Sequence, residues 1–94
     1  MVELTPNSSF SVTIRVSLPN RAGMLAKVTQ AIADEGGNLG QIDLIEQTRS
    51  DTIRDITVDA ASTEHAERVV QAIKALPEMK TLEVYDRTFN LHRG

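Results

Sequence analysis

The chain has 94 residues and a formal net charge of −3, from 10 Lys and Arg against 13 Asp and Glu. Its length fits one domain with one modest core, and the lack of cysteine excludes disulfide frameworks, zinc ribbons and CxxC redox motifs. The acidic balance and the few aromatic residues, two Phe and one Tyr, speak against a nucleic-acid partner. No apolar run approaches the roughly 18 residues of a membrane helix, and the N-terminus lacks a secretory pattern. We therefore expect a cytoplasmic domain with no membrane partner.

The first predicted element is a strand that follows a polar, flexible lead over residues 1–9. From Phe10 to Val16, apolar residues alternate with polar ones, which is typical of a half-buried strand. Pro19 and Gly23 interrupt this alternation, so the strand ends before them.

A helix is predicted next, with Asn20 as its N-cap. Leu25, Val28 and Ile32 recur at helical spacing, and Gly36–Gly37 offers the left-handed conformation that ends many helices. The expected length is about 14 residues.

The remaining elements complete the fold. Strands over Gln41–Thr48 and Thr52–Ala60 flank a short polar turn and predict a hairpin. A second helix begins after Ser62 or Thr63 and stops before Pro77, and a last strand runs from about Thr81 toward Phe89. The order β-α-β-β-α-β predicts an α+β, ferredoxin-like βαββαβ sandwich: a four-stranded antiparallel sheet with both helices on one face.

This fold hosts many functions, so the residues must decide among them. Iron–sulfur and copper-chaperone versions need cysteines, which are absent. RNA-binding versions need aromatic residues on the open sheet face. At that face we place Thr13, Arg15, Thr57 and Asp59, which excludes such a platform.

Catalysis finds little support in the sequence. Arg21 and Asn38 resemble the phosphate-holding pair of acylphosphatase-like enzymes, but the surrounding glycine-rich loop is missing. His65 and His92 stand near no nucleophile with a supporting carboxylate, and we interpret His65 as a solvated residue in the first turn of a helix. A small phosphate-hydrolysing enzyme remains the third-ranked alternative.

Two loops carry the informative residues, and we place them at the same end of the sheet. The first loop, residues 19–25, opens the first helix, whose free N–H groups and dipole favour a carboxylate. In it, Gly23 allows close approach of a ligand. The second loop, residues 36–39, contains Asn38, whose amide offers both a donor and an acceptor.

The segments PNRAGMLA and GGNLGQI closely resemble the ACT domain, a small ligand-binding regulatory module of metabolic enzymes. The resemblance covers about Ser11 to Tyr85. It implies side-by-side pairing into homodimers or larger assemblies, and a small-molecule effector bound between one protomer's first loop and a neighbour's Asn. Two departures are Ala22, where proline is usual, and Leu18, where serine-sensing members have a polar His. The implied ligand-binding residues are Asn20, Arg21, Ala22, Gly23, Met24, Asn38 and Leu39.

The segment Tyr85–Gly94 resembles the junction between the ACT and catalytic parts of bacterial NAD-dependent malic enzymes. This resemblance implies an ACT domain over residues 10–86 and the start of a linker over residues 87–94. It also implies that the chain is a non-enzymatic regulatory part with no cofactor or metal of its own. NAD and a divalent metal would belong to the attached catalytic domain, which oxidatively decarboxylates malate.

An alternative from a different class stays open: a ligand-free dimerisation module of a malic enzyme or a phosphoglycerate dehydrogenase. Packing, capping and turn formation can each explain Gly23, Asn20 and Asn38 without a ligand. The predicted edge strand Gln41–Thr48 is flat, carries Ile42, Leu44 and Ile45, and has few of the lysines that usually protect an exposed edge, which favours pairing through it.

Overall fold

The computed structural model describes residues 7–86, which form one four-stranded antiparallel sheet and two helices. The sheet order is β2-β3-β1-β4, and both helices pack on the same apolar core. The predicted α+β, ferredoxin-like βαββαβ fold is confirmed. The elements are β1 (Asn7–Pro19), α1 (Met24–Asp34), β2 (Asn38–Gln47), β3 (Asp51–Ala60), α2 (Thr63–Lys74) and β4 (Lys80–Asp86).

Most element boundaries lie within three residues of the predicted ones. β1 begins at Asn7, three residues before the predicted start at Phe10. The predicted extension of β4 to Phe89 and the linker over residues 87–94 lie outside the described residues. So do residues 1–6 of the predicted lead.

The alternating pattern of β1 divides the sheet into two faces. Ile14 and Val16 are fully buried beneath the helices, whereas Thr13 and Arg15 are only partly buried on the open face. Period-two geometry makes this division unavoidable. The buried apolar core comprises Val12, Ile14, Val16, Leu18, Met24, Val28, Ile32, Ile56, Val58, Ala60, Ala66, Val69, Val70 and Ile73.

The open face carries a polar network instead of an aromatic platform. Arg15 donates two hydrogen bonds to Asp55, at 2.7 and 3.0 Å, and lies 5.8 Å from the centre of the Tyr85 ring. The hydrogen bond with Asp55 raises the pKa of Arg15 above its ordinary value. The Tyr85 hydroxyl donates to Glu83 at 2.7 Å, and this bond raises the pKa of Tyr85. The face is therefore polar, with Arg15 bonded to Asp55 and Tyr85 bonded to Glu83.

The start of α1 differs from the prediction. Its N-cap is Gly23, which has φ 88° and makes no side-chain capping bond, so Asn20 is not the cap. A left-handed N-cap suits glycine because glycine has no Cβ to clash with the backbone. The helix is 11 residues long, shorter than the expected length of about 14.

The end of α1 is confirmed at Gly36–Gly37. Gly36 has φ 76° and donates its N–H to the Ala33 carbonyl at 2.9 Å, and Gly37 donates to the Ile32 carbonyl at 3.0 Å. These two bonds form a Schellman motif, which satisfies the last carbonyls of the helix.

The second helix also follows its predicted signals. The Ser62 hydroxyl accepts a hydrogen bond from the N–H of His65 at 3.1 Å and caps α2. The helix ends at Lys74, three residues before Pro77. Neither helix among residues 7–86 has the length and apolar character needed to span a bilayer.

Candidate functional site

The two predicted loops lie at opposite ends of the sheet. Pro19, at the end of β1, pairs with Asp51, whereas Asn38, at the start of β2, pairs with Asp59. The eight steps along β3 between these partners span about 26 Å. The prediction of a common end is wrong, because α1 runs back along the sheet and makes β1 and β2 parallel. A site that uses both loops therefore needs two chains.

In the first loop, Asn20 fastens the chain to the β2–β3 turn. Its N–H donates to the Ser50 carbonyl at 2.8 Å, and its side-chain amide donates to the Thr48 carbonyl at 3.0 Å. The amide that would cap α1 is thus used for a contact 28 residues away in sequence. It holds the first loop beside the end of β2.

Arg21 fastens the same loop to the α2–β4 turn. Its guanidinium donates to the carboxylate of Glu78, and the Lys27 ammonium lies 3.5 Å from the other oxygen of that carboxylate. Glu78 has φ 73°, the only positive φ at a non-glycine residue among residues 7–86. Glu78 was not among the predicted site residues, because Pro77 before it indicated only the end of a helix.

The contact between Arg21 and Glu78 changes the pKa of Glu78 and can be tested through it. The hydrogen bond from Arg21 is the main cause that lowers this pKa, with Lys27 contributing less. The ion pair therefore persists above the lowered pKa and is lost as the pH falls through it. We expect Arg21→Gln to move the pKa of Glu78 back up toward its ordinary value, measured by a carboxyl NMR titration. The control is Arg68→Gln, which removes a cation 3.9 Å from Glu35 and should leave the pKa of Glu78 unchanged. Equal pKa values of Glu78 in Arg21→Gln and wild type would refute the contact between Arg21 and Glu78.

In the rest of the first loop, only backbone groups are available to contact a ligand. Ala22 and Gly23 are exposed, and a Cβ added at Gly23 would meet nothing within 4 Å. Met24 is 5% exposed and belongs to the core, so the predicted role of Met24 in ligand binding can involve only its backbone. The first backbone N–H groups of α1 therefore face open space beside Gly23.

In the second loop, Asn38 and Leu39 are exposed at the start of β2. Arg21 and Asn38, the pair expected of a phosphate-hydrolysing enzyme, are separated by the length of the sheet. One chain therefore does not bring that pair together.

His65 is buried, with 7% of its surface exposed, so its interpretation as a solvated residue is wrong. It does lie in the first turn of α2, as expected. It stands four residues before buried Val69, and helical spacing could have indicated its orientation. Its Nε2 lies 2.6 Å from the carbonyl oxygen of Glu35 at the end of α1, and the N–H of Ala61 donates to its Nδ1 at 2.8 Å.

β2 is an edge strand, as predicted, and it carries exposed apolar side chains. Three of the four exposed large apolar side chains among the described residues lie on it: Leu39 at 40%, Leu44 at 50% and Ile45 at 45% exposure. The strand contains no Lys or Arg. The prediction that this strand is flat is wrong, because its register with β3 shifts at Gly40 and again at Ile45. These shifts limit pairing to matching irregular strands.

Residues 6–83 match the family model of the ACT domain. The chain belongs to the ACT domain family. It is 32% identical over 91 residues to an NAD-dependent malic enzyme of Geobacillus stearothermophilus, covering 97% of this ACT domain chain and 19% of the relative. It is 30% identical over 83 residues to NAD-dependent malic enzyme 1 of Bacillus subtilis (strain 168), covering 87% and 19%.

The fold of this ACT domain also resembles a solved structure, the ligand-free regulatory subunit of aspartate kinase from Thermus thermophilus. The TM-score is 0.64 at 24% identity, and the match covers 86% of this chain and 52% of that one. The ACT domain spans about a fifth of the length of the curated relatives it matches. The resemblances to ACT domains and to bacterial NAD-dependent malic enzymes are both confirmed. The chain is thus a regulatory module of a kind found in malic enzymes and other regulated enzymes.

Proposed function

We propose that this ACT domain pairs with a second copy through β2 and binds a small effector, an amino acid or organic acid, between the two copies. Binding would control an attached metabolic enzyme, a malic enzyme. The observation that carries the proposal is that an edge strand without Lys or Arg exposes three large apolar side chains, Leu39, Leu44 and Ile45. Exposed edges are usually protected by lysine, proline, β-bulges or a covering element; β2 has the two irregularities but neither lysine nor proline.

Pairing through β2 would bring the first loop of one copy close to the second loop of the other copy. A two-fold axis near the middle of β2 sets two such strands antiparallel, so the start of one strand lies beside the end of the other. Asn38 of one copy would then lie near Thr48 of the second. Because Asn20 is bound to the Thr48 carbonyl, the first loop of the second copy would lie there too. The dimer would hold two equivalent sites.

The chemistry of such a site suits a small carboxylate. The free N–H groups at the start of α1 and the helix dipole attract negative charge, and the open space at Gly23 admits it. The Asn38 amide can accept from an ammonium or hydroxyl group and donate to a carboxylate. An effector that binds the paired form more tightly would shift the parent's equilibrium, typically by about 1–3 kcal/mol.

The test is calorimetry on the 94-residue chain with a carboxylate panel, defined as the twenty amino acids, L-malate and fumarate. We expect one panel member to give saturable heat, and Asn38→Ala to weaken that binding about tenfold or more through lost hydrogen bonds to charged groups. The control is Gln71→Ala, which changes an exposed polar residue of α2, outside the proposed interface. No heat from any panel member, or equal affinity in Asn38→Ala, would end the sensor proposal.

A second candidate is a ligand-free dimerisation module. The side chains of Asn20 and Arg21 are already engaged, with Thr48 and Glu78 respectively, which favours a structural role for the first loop. A stable dimer that binds no panel member would support this candidate, whereas saturable heat would exclude it.

A further inference from the structure

The two register shifts of β2 change which of its side chains share a face of the sheet. Gly40 and Ile45 are each extra to the pairing with β3, so each one reverses the alternation of side chains. Every other residue of β2 projects from the same face as its β3 partner. The helix side carries Leu39, Ile42, Leu44 and Gln47, and the open face carries Asn38, Gln41, Asp43 and Glu46. The strand is therefore mainly apolar on its helix side and polar on its open side.

This division limits how a second copy of β2 can pair with the first about a two-fold axis. Residues directly opposite each other in an antiparallel pair project from the same face, so helix-side residues must meet helix-side residues. Only two registers satisfy this rule along β2. In one of them Ile42 faces Ile42 of the second copy, and in the other Asp43 faces Asp43 of the second copy.

Charge favours the register in which Ile42 faces itself. In the other register two Asp43 carboxylates would be directly opposite, and like charges in this position are destabilising. Arg15 does not offset their charge, because its guanidinium is bound to Asp55. With Ile42 facing Ile42, Asp43 instead lies opposite Gln41 of the second copy. The Gln41 amide donates to Asp43 within one chain, at 3.0 and 3.1 Å, and can donate in the same way across the pair.

We propose that the two copies pair with Ile42 facing Ile42, and that this register makes Glu46 of one copy a specificity-determining residue beside Asn38 of the other. The inference rests on the proposed function, because it uses the same pairing through β2. Asn38 lies four residues before Ile42, and Glu46 lies four residues after it. The two residues are therefore directly opposite each other across the pair. Both are exposed and belong to the open face.

Glu46 would restrict which group of a ligand the Asn38 amide can bind. An amide by itself accepts from an ammonium group or donates to a carboxylate. A second side chain with its Cβ about 5 Å away reaches the same ligand group, and a carboxylate there attracts an ammonium and repels another carboxylate. The effector should therefore place an ammonium group between Asn38 and Glu46 and its carboxylate at the first loop. This arrangement selects an amino acid over L-malate and fumarate, which have no ammonium group.

The chain contains no cysteine, so single cysteine variants can report the register through disulfide formation. The test mixes Ile42→Cys with Leu44→Cys, both of which keep Asp43, and identifies the disulfides by mass after mild oxidation. We expect Ile42→Cys to link to itself, because directly opposite Cα atoms lie about 4.5–5.5 Å apart, within disulfide range. If Asp43 faced Asp43, Ile42 would lie opposite Leu44. A mixed disulfide between the two variants would therefore overturn the proposal.

A second pair of positions decides the register should Ile42→Cys fail to fold. Leu39 and Ile45 are exposed, and they are directly opposite each other when Ile42 faces Ile42. A mixture of Leu39→Cys and Ile45→Cys should then form the mixed disulfide. In the other register Leu39 faces Gln47 and Ile45 faces Gln41, so lack of the mixed disulfide in a dimer would overturn the proposal.

Calorimetry with the carboxylate panel tests the role of Glu46. We expect an amino acid, but neither L-malate nor fumarate, to give saturable heat, and Glu46→Gln to weaken that binding about tenfold or more. Glu67→Gln, which changes an exposed carboxylate of α2, is the matched control and should bind like wild type. Equal affinity in Glu46→Gln and wild type, or saturable binding of L-malate or fumarate, would overturn the role of Glu46. No heat from any panel member would remove the proposed sensor and the role of Glu46 together, whereas the disulfide pattern would still decide the register.

Discussion

Gly37→Ala should lower the free energy of unfolding by about 2 kcal/mol or more, as is typical of overpacking in a well-packed core. The added Cβ would lie 2.9 Å from Val58 of β3, 3.1 Å from Ile32 of α1 and 3.2 Å from Val69 of α2. All three side chains are at most 1% exposed, so none can move aside cheaply. The glycine is therefore required by close packing among three elements.

Urea unfolding at one protein concentration would measure this effect, with two glycine controls. At Gly40 the nearest atom, the Thr57 carbonyl oxygen, would be 3.4 Å from a Cβ, so Gly40→Ala should cost much less. At Gly23 there is open space but φ is 88°, so Gly23→Ala should cost about 1–2 kcal/mol through backbone strain. A loss at Gly37 no larger than that at Gly40 would contradict the packing.

Leu44→Asp is expected to dissociate the proposed dimer, raising its dissociation constant more than about 100-fold. In a two-fold symmetric dimer, each substitution occurs twice at the interface. Losing two partly buried leucines and burying two carboxylates would therefore weaken the free energy of dimerisation by about 3 kcal/mol or more. Leu44 is 50% exposed on β2, and Leu82 on the opposite edge strand is 48% exposed. Leu82→Asp is thus a matched control.

Sedimentation of the two variants and wild type would decide the interface. Dissociation in Leu44→Asp with a dimer retained in Leu82→Asp supports pairing through β2. The reverse result would assign the interface to β4. A wild-type chain that is monomeric at micromolar concentration would remove both the effector and the assembly proposals.

The sequence predicted the elements whose signals are local. Alternation along β1 identified the buried residues Ile14 and Val16, and Gly36 marked the end of α1. These predictions succeed because periodicity and the conformational freedom of glycine act within a few residues of chain. The same local reasoning placed Asn20 at the helix start, where an Asn N-cap is common but is not found.

The partners of the site residues could not be predicted in this way. Asn20 binds Thr48 across 28 residues, Arg21 binds Glu78 across 57, and His65 binds Glu35 across 30. No periodic pattern reports which of many polar residues will meet at such separations. Only packing of the helices on the sheet brings them within hydrogen-bond distance.

By itself, the sequence determined the βαββαβ fold, the apolar face of each element and the two loops that carry the family resemblance. The tertiary structure decided where those loops stand: the register of β3 with β1 and β2 puts Asn20 and Asn38 at opposite ends of the sheet. It also decided that His65 is buried. The physical reason is that side-chain alternation specifies which way a residue faces, whereas its neighbours depend on how distant segments pack.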